Sequence, residues 1–136
     1  MSFVDDIRPI LIENLAVFSL IGFTWGKAPN LTKEIRSFRG TFPQGTKLPC
    51  ITYADSSGFL GEIVTNDLTF LITAWGSDEV ECQTVAKAVE DALDSWSGTL
   101  NGRPVEKIVK TFWQDSLIEA NTNLWYSIRK FEALFW

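Results

Sequence analysis

Residues 68–96 constrain the fold more than any other segment, because they predict a strand that leads directly into a helix. From Leu68 to Trp75 the side chains alternate, and one of the two faces is entirely apolar: Leu68, Phe70, Ile72 and Ala74. The opposite face is only half polar: Thr69, Leu71, Thr73 and Trp75. The alternation predicts a strand with one face on a core and a second face that is also partly apolar.

The segment that follows has the pattern of a capped amphipathic helix. Gly76-Ser77 ends the strand, and Asp78-Glu79-Val80-Glu81 has the Asp-x-x-Glu form of a capping box. Apolar residues then recur at helical spacing and form one stripe: Cys82, Val85, Ala86, Val89, Leu93 and Trp96. Charged residues occupy the opposite side: Lys87, Glu90, Asp91 and Asp94. The pattern predicts an amphipathic helix that packs on the sheet.

The remaining regular segments predict one more helix and three more strands. Helical spacing runs from Phe3 to Phe18, where Asp5 or Asp6 can cap the helix and Pro9 lies within its first turn. The predicted strands are 49–54, 105–113 and 125–135, and a polar loop over 114–123 joins the last two. A chain of 136 residues has the size of one domain. We therefore expect a single α+β domain over residues 1–136, with a mainly antiparallel four-stranded sheet and two helices packed on one of its faces.

Residues 24–47 have no firm secondary-structure pattern, and we interpret them as a long basic loop or arm. Leu31, Ile35 and Phe38 would share a helical face, yet residues 36–39 could equally form an edge strand. Long connections of this kind in a compact domain are often functional.

Charge is segregated along the chain. Residues 27–47 carry five basic residues and one acidic residue, whereas residues 78–94 carry six carboxylates and one lysine. Either these are two solvated surfaces, or the basic segment of one copy meets the acidic helix of another, since charge complementarity fixes the register between partners. In the second case the interface candidates are Lys33, Arg36 and Arg39 on one copy and Glu90, Asp91 and Asp94 on its neighbour.

The sequence offers no set of residues for catalysis, cofactor binding or a metal site. It contains no histidine, which removes the usual general base and most zinc ligands, and it has no glycine-rich phosphate loop. Its carboxylate pairs lie at predicted helix starts or on a solvated helix face, and Cys50 and Cys82 are typical of small buried hydrophobes. We expect a protein that is not an enzyme and has no cofactor.

Charge and hydropathy also limit the partners. The net charge of −5 argues against an electrostatic nucleic-acid binder. No apolar stretch approaches the roughly 20 residues of a transmembrane helix, and the acidic start, MSFVDDIRPI, is not typical of a secretory signal. We expect a soluble, intracellular protein without a membrane partner.

Aromatic residues are the unusual part of the composition, with six tryptophans and ten phenylalanines against two tyrosines. The last predicted strand ends in RKFEALFW and is apolar on both faces. Either it is an inner strand buried on both sides, or the second face of the sheet is an interface. A self-assembling protein fits this surplus better than a monomer, and the interface candidates then include Leu71, Trp75, Phe131 and Trp136.

Three stretches together carry a resemblance to a known family: FPQGTKLPCITY, LTFLITAWGSDEVECQTVAKAVEDAL and SWSGTLNG. They resemble the tail terminator, or tail completion, proteins of long-tailed bacteriophages and prophages over about residues 40–136. In that family a Pro-x-Gly-Thr-x-x-Pro segment leads into the first strand, and a later strand ends in a Trp-Ala-like corner before a helix. The matching positions are Pro43, Gly45, Thr46, Pro49, Ala74, Trp75, Leu93, Trp96, Gly98, Leu100 and Gly102.

The resemblance implies a structural protein of the virion tail, assembled in the cytoplasm of the bacterial host. It implies a homo-oligomeric ring, with six copies, at the head-proximal end of the tail tube. Such a ring stops tube polymerisation and docks to the head connector, while DNA passes through its lumen without specific binding. Two rivals remain open: another small neck, head–tail joining or minor tail protein, and a cytosolic α+β dimer that binds a ligand or peptide in an apolar pocket.

Overall fold

The computed structural model describes residues 7–55, 67–100 and 102–135. Three helices lie within these ranges: α1 (Arg8–Glu13), α2 (Leu15–Ile21) and α3 (Glu79–Leu93). The strands in the same ranges are β1 (Gly22–Trp25), β2 (Thr32–Ile35), β3 (Ser37–Arg39), β4 (Cys50–Asp55), β5 (Asp67–Gly76), β6 (Gly98–Leu100), β7 (Arg103–Ile118) and β8 (Trp125–Phe135).

The strands form one large sheet and one small one. Six strands make a mixed sheet in the order β3-β4-β5-β8-β7-β6, in which β3 runs parallel to β4 and the other neighbours are antiparallel. Strands β1 and β2 pair with each other as a separate antiparallel hairpin. This hairpin is joined to the large sheet at its base, because the Arg36 carbonyl accepts from the Ile51 N–H at 2.9 Å.

The prediction of a four-stranded, mainly antiparallel sheet is wrong. All four predicted strands occur, but β3 and β6 extend the sheet at its two edges, and β1 and β2 form a second sheet. The two edge strands are three residues long, which is too short for a period-2 pattern to be visible in sequence. Of the two alternatives for residues 36–39, the edge strand is confirmed.

The prediction of two helices is also wrong, because the N-terminal helix is broken. Asn14 has extended backbone dihedrals and caps α2, since its Oδ1 accepts from the Val17 N–H at 3.1 Å. An asparagine side chain competes with helical hydrogen bonding in this way. Pro9 lies in the first turn of α1, as expected, whereas the expected caps Asp5 and Asp6 lie outside the described residues.

The central helix confirms the predicted cap at Asp78, although the returning bond from Glu81 is made to the residue before the cap. Asp78 Oδ1 accepts from the Glu81 N–H at 2.8 Å, and Glu81 Oε1 accepts from the Ser77 N–H at 2.9 Å. The helix ends at Leu93, short of Trp96. The chain beyond it joins the sheet instead, because the Ser95 N–H donates to the Ile108 carbonyl at 2.7 Å.

The core lies between the helices and one face of the large sheet. It contains Phe70, Ile72 and Ala74 from β5, Phe131 and Ala133 from β8, and the apolar stripe of α3, with Ile7, Leu11, Val17 and Ile21 from the N-terminal segment. Phe70 and Phe131 stack with ring centroids 5.4 Å apart. Each fully buried apolar side chain of this kind contributes roughly 1.5–3 kcal/mol, so this face holds the domain together.

Strand β7 is longer than the pattern predicts and continues through residues 114–118, which the sequence suggested were loop. Three irregularities interrupt its pairing with β8, at Val105/Lys107, Lys110/Phe112 and Gln114/Leu117. A β-bulge shifts the alternation by one residue, so the period-2 pattern is lost although the strand continues.

Candidate assembly surface

The face of the large sheet that points away from the helices is partly apolar. Its register brings together Leu71, Thr73 and Trp75 of β5 with Lys130, Ile128 and Tyr126 of β8, and Phe112 of β7 follows next to Lys130. We call these seven residues the open face. Phe112 is 47 % exposed, and a depression of about 480 Å³ lies between Leu71, Phe112 and Ile128. Leu71 and Trp75, both interface candidates from the sequence, lie on this face.

Trp75 is fixed in place by three contacts. Its indole N–H donates to Thr52 Oγ1 at 3.0 Å, its ring stacks on Tyr126 with centroids 4.8 Å apart, and Phe42 meets it edge-on at 5.3 Å. Aromatic pairs at these distances are stabilising beyond their buried area. The residue is therefore a rigid apolar surface rather than a mobile side chain.

An apolar groove lies beside Trp75, and we call it the Trp75 groove. It has a volume of about 540 Å³ and is lined by Gly40, Thr41, Phe42, Gln44, Gly45, Thr46, Leu48, Trp75, Glu119, Thr122 and Leu124. Its outer wall is the FPQGTKLP stretch, where the Thr46 hydroxyl and N–H both donate to the Pro43 carbonyl. These bonds close a local turn, which gives the stretch a structural role as the wall of a concave surface.

Glu119 is the charged residue among those that line the groove. Its carboxylate accepts from the Thr122 hydroxyl and from the N–H groups of Asn121 at 3.1 Å and Thr122 at 3.2 Å. The hydrogen bonds from Thr122 and Asn121 lower the pKa of Glu119, so this wall of the groove keeps its negative charge at neutral pH.

The β1–β2 hairpin carries a second apolar surface. Phe23 and Trp25 lie on one of its faces, and they are 40 % and 57 % exposed, while Leu31 at its turn is 53 % exposed. The other face is directed to the helices, with Ile35 buried and Lys33 Nζ 5.4 Å from the centre of the Phe18 ring. The hairpin thus presents aromatic side chains to solvent.

The predicted basic residues have different environments. Arg36 is tied to its own chain, since Nε donates to the Pro49 carbonyl at 2.8 Å and Nη2 donates to the Leu20 carbonyl at 3.0 Å. Lys33 and Arg39 lie at the surface, on β2 and β3. Arg36 therefore links the N-terminal helices to the sheet, a role that the sequence pattern did not indicate.

Glu90 does not lie on a solvated face as predicted. It is 9 % exposed and binds Arg129 Nε at 2.9 Å, Lys110 Nζ at 3.2 Å and Lys87 Nζ at 3.3 Å. Burial by itself raises the pKa of Glu90, but the hydrogen bonds from Lys110, Lys87 and Arg129 outweigh it, and the pKa is lowered. The carboxylate is an internal counter-ion.

Arg129 is the residue at the centre of this cluster, and the sequence analysis missed it. It is 4 % exposed, and its Nη1 also donates to Asp115 Oδ1 at 2.8 Å. The sequence did contain a signal for its burial, because Arg129 shares the alternation of Phe131 and Ala133 and therefore points to the core. A charge in that position requires a buried partner.

The other predicted interface residues are not brought together. Asp91 pairs with Lys87 at 3.1 Å on the outer side of α3, and Asp94 Oδ1 accepts from the Lys110 N–H at 3.0 Å. Phe131 has no exposed surface, so in this fold it belongs to the core and not to an interface. Trp136 lies outside the described residues.

Comparison with known proteins identifies the family of the chain. The model of the family described as tail completion protein gp17 matches residues 27–135. The chain belongs to this family. It is therefore a structural component of the virion tail. No curated protein matches the sequence.

A solved structure has the same fold as this tail completion protein. It is a chain of the virion of a native gene transfer agent particle, with a TM-score of 0.66 and 13 % sequence identity. The match covers 97 % of the present chain and 92 % of the other. The family match begins in the turn of the hairpin and includes the Trp75 groove and the whole large sheet, whereas α1 and α2 precede it.

The described part of this tail completion protein contains no cluster of three or more potential metal ligands. Cys50 and Cys82 are fully buried, and burial raises the pKa of Cys50 to about 12 and also raises the pKa of Cys82, so neither is an activated thiolate. Among the helices of the described ranges, none is long and apolar enough to cross a membrane.

Proposed function

We propose that this tail completion protein is the terminator of the tail tube. In this role, several copies form a ring at the head-proximal end of the tube, stop its polymerisation and present the surface to which the head connector docks. The resemblance noted in the sequence implies six copies. Membership of the tail completion family over residues 27–135 is the observation that carries the proposal.

The distribution of apolar surface supports assembly. Helices pack on one face of the large sheet, whereas the open face, the Trp75 groove and the hairpin keep aromatic and aliphatic groups accessible. Clustered exposed apolar surface of this kind marks protein interaction sites. Because these surfaces are different from one another, contacts between copies would be head-to-tail, and head-to-tail contacts close into rings when the rotation permits.

The charge of the chain is consistent with a conduit for DNA. A net charge of −5 per copy gives an acidic ring, which repels phosphates rather than binding them. We infer that DNA passes through the lumen without specific binding.

The rival function as a ligand-binding dimer needs a concave apolar pocket, and the Trp75 groove has the volume of such sites. Family membership assigns the chain to the virion tail, so we interpret this groove as a docking site for protein.

Light scattering coupled to size exclusion, over a range of protein concentrations, tests the ring. We expect a single large species with a mass several times the 15.3 kDa of the chain at high concentration or when tube ends are added. A chain that stays monomeric and does not bind tube ends contradicts the proposal.

A further inference from the structure

We propose that the β1–β2 hairpin of one copy inserts Trp25 into the Trp75 groove of a second copy. This inference rests on the proposed ring and names the contact that would build it.

The hairpin has the properties of an element that is completed by a partner. Residues 23–33 are all exposed, and they include Phe23, Trp25 and Leu31. An isolated two-stranded hairpin is at best marginally stable in water, and its contacts within the chain are mainly with α1 and α2 at its base. The outer half of the hairpin therefore gains most from a second surface.

The Trp75 groove matches the hairpin in size and polarity. Its volume of about 540 Å³ lies within the range of pockets that bury large aromatic groups. Leu48, Leu124 and the fixed ring of Trp75 form apolar walls for an indole, and aromatic side chains in such pockets carry much of the binding energy of protein interfaces.

The charge of the groove lining is opposite to that of the hairpin, although the wall stretch also carries Lys47, which is exposed and is not among the lining residues. The exposed part of the hairpin carries Lys27 and Lys33, whereas Glu119 is the charged residue among those that line the groove. Opposite charges at the rim orient partners as they meet.

The positions of the two elements favour a second copy over the same chain as the partner. The hairpin packs on the helices that cover one face of the large sheet, and the groove lies beside Trp75 on the other face. Each copy contributes one hairpin and one groove, so a closed ring fills every groove and uses every hairpin. This is the stoichiometry of a head-to-tail contact.

Disulfide trapping tests the contact directly. Thr32→Cys places a thiol beside the intact Trp25, its cross-strand neighbour on the hairpin, and Gln44→Cys places one on the rim of the groove, while the native Cys50 and Cys82 are fully buried and do not compete. Mixing the two single variants and oxidising them should give a cross-linked dimer of one chain of each kind. The chain with both substitutions should give a ladder of covalent oligomers on a non-reducing gel.

The matched control pairs Leu15→Cys with Gln44→Cys, since Leu15 is 80 % exposed on α2 and is not part of the proposed contact. It should give no ladder. As a second measurement, Trp25→Ala should raise the concentration required for assembly by roughly tenfold or more, the effect of a buried aromatic anchor. The melting temperature of the monomer should not change, and Val80→Ala, at a residue 72 % exposed on α3, should leave assembly unaltered.

The outcomes separate this inference from the proposed function. A ring that forms normally but yields no specific cross-link overturns the hairpin contact and leaves the terminator proposal intact. A cross-link formed within a single monomeric chain also overturns it, because the hairpin then binds its own groove. A chain that neither assembles nor cross-links overturns both.

Discussion

Both faces of the large sheet contain apolar residues, but the two faces have different roles. On the helix-covered face, Phe70 and Phe131 have no exposed surface. On the open face, Leu71 and Trp75 are half-buried and Phe112 is 47 % exposed. The difference shows that apolar content alone does not identify the core, which depends on which face the helices cover.

The polar groups of the two faces also differ from each other. The covered side contains charged groups that are paired with each other, namely Glu90, Arg129 and Asp115. The open side contains the neutral pair of Trp75 and Thr52, and among the seven residues of the open face Lys130 is the charged one. Because a buried charge without its partner is costly, single substitutions on the covered face should destabilise the fold. Substitutions on the open face should affect assembly more than folding.

The largest expected loss of stability comes from a charge placed on the covered face. Val89 has no exposed surface, so Val89→Asp should lower the free energy of unfolding by about 4 kcal/mol, because the carboxylate must be desolvated or protonated. The control is Val80→Asp on the same helix, where the side chain is 72 % exposed and the change should be below about 0.5 kcal/mol. Urea denaturation measures both, and equal effects would mean that the buried side of α3 is assigned wrongly.

Removing one member of the buried ion cluster should be next in size. Arg129→Met leaves the carboxylates of Glu90 and Asp115 without their shared partner, and we expect a loss of about 3 kcal/mol. Asp91→Asn, which breaks a solvent-exposed pair on the same helix, should cost about 0–1 kcal/mol. If the two substitutions have equal cost in chemical denaturation, the cluster is not a structural feature of the covered face.

The cluster also predicts a dependence of stability on acid pH. The pKa of Glu90 is lowered in the folded state, so its contribution is present above the unfolded pKa, about 4.3, and is lost as the pH falls through the folded value. The Glu90→Gln variant should therefore lose less stability than the parent when the pH falls from neutral to acid. Thermal melts of parent and variant between neutral and acid pH would measure this, and parallel curves would contradict it.

Changes on the open face should affect folding only slightly. Phe112→Ala removes a half-exposed ring, so the free energy of unfolding should fall by about 1 kcal/mol or less, while the mass measured by light scattering should shift towards the monomer. A loss as large as that of Val89→Asp would show that this face belongs to the core. Unchanged assembly of Phe112→Ala would show that the open face is not part of the interface.

The smallest effect is expected from the surface charges. We propose that Arg39 of one copy approaches Asp91 and Asp94 of its neighbour, because Lys33 lies on the hairpin that enters the groove on the opposite face. Individual rim ion pairs are worth about 0–1 kcal/mol, so Arg39→Glu should weaken assembly modestly, as should added salt. Combining this variant with Asp91→Lys and Asp94→Lys should restore part of the lost assembly. Absence of rescue in light scattering would mean that these are solvated surfaces.

The sequence was sufficient for the elements whose pattern is long and regular. The capped helix α3 and the strands β5 and β8 follow from alternation and helical spacing, and the family followed from the loop and strand residues around Pro43, Ala74 and Leu93. The edge strand β6 and the break at Asn14 could not be predicted, and β3 was only one of two alternatives for its segment, because each depends on a pairing or cap that involves only a few residues.

The charged residues were the least predictable part of the site. Arg36 and Glu90 have the sequence context of surface charges, yet one binds backbone carbonyls and the other binds Arg129. Their roles depend on which distant segments the fold brings beside them. Leu71 and Trp75 were better defined, since strand alternation alone assigns them to the face opposite the core.

Electron microscopy of growing tail tubes tests the central claim most directly. Tube protein from the same virion is polymerised with and without the purified chain, and the lengths of the tubes and the density at their ends are measured. The account predicts that the chain stops elongation and adds a ring at one end, and that the Trp25→Ala variant does so less effectively. Tubes of unchanged length with bare ends would contradict it.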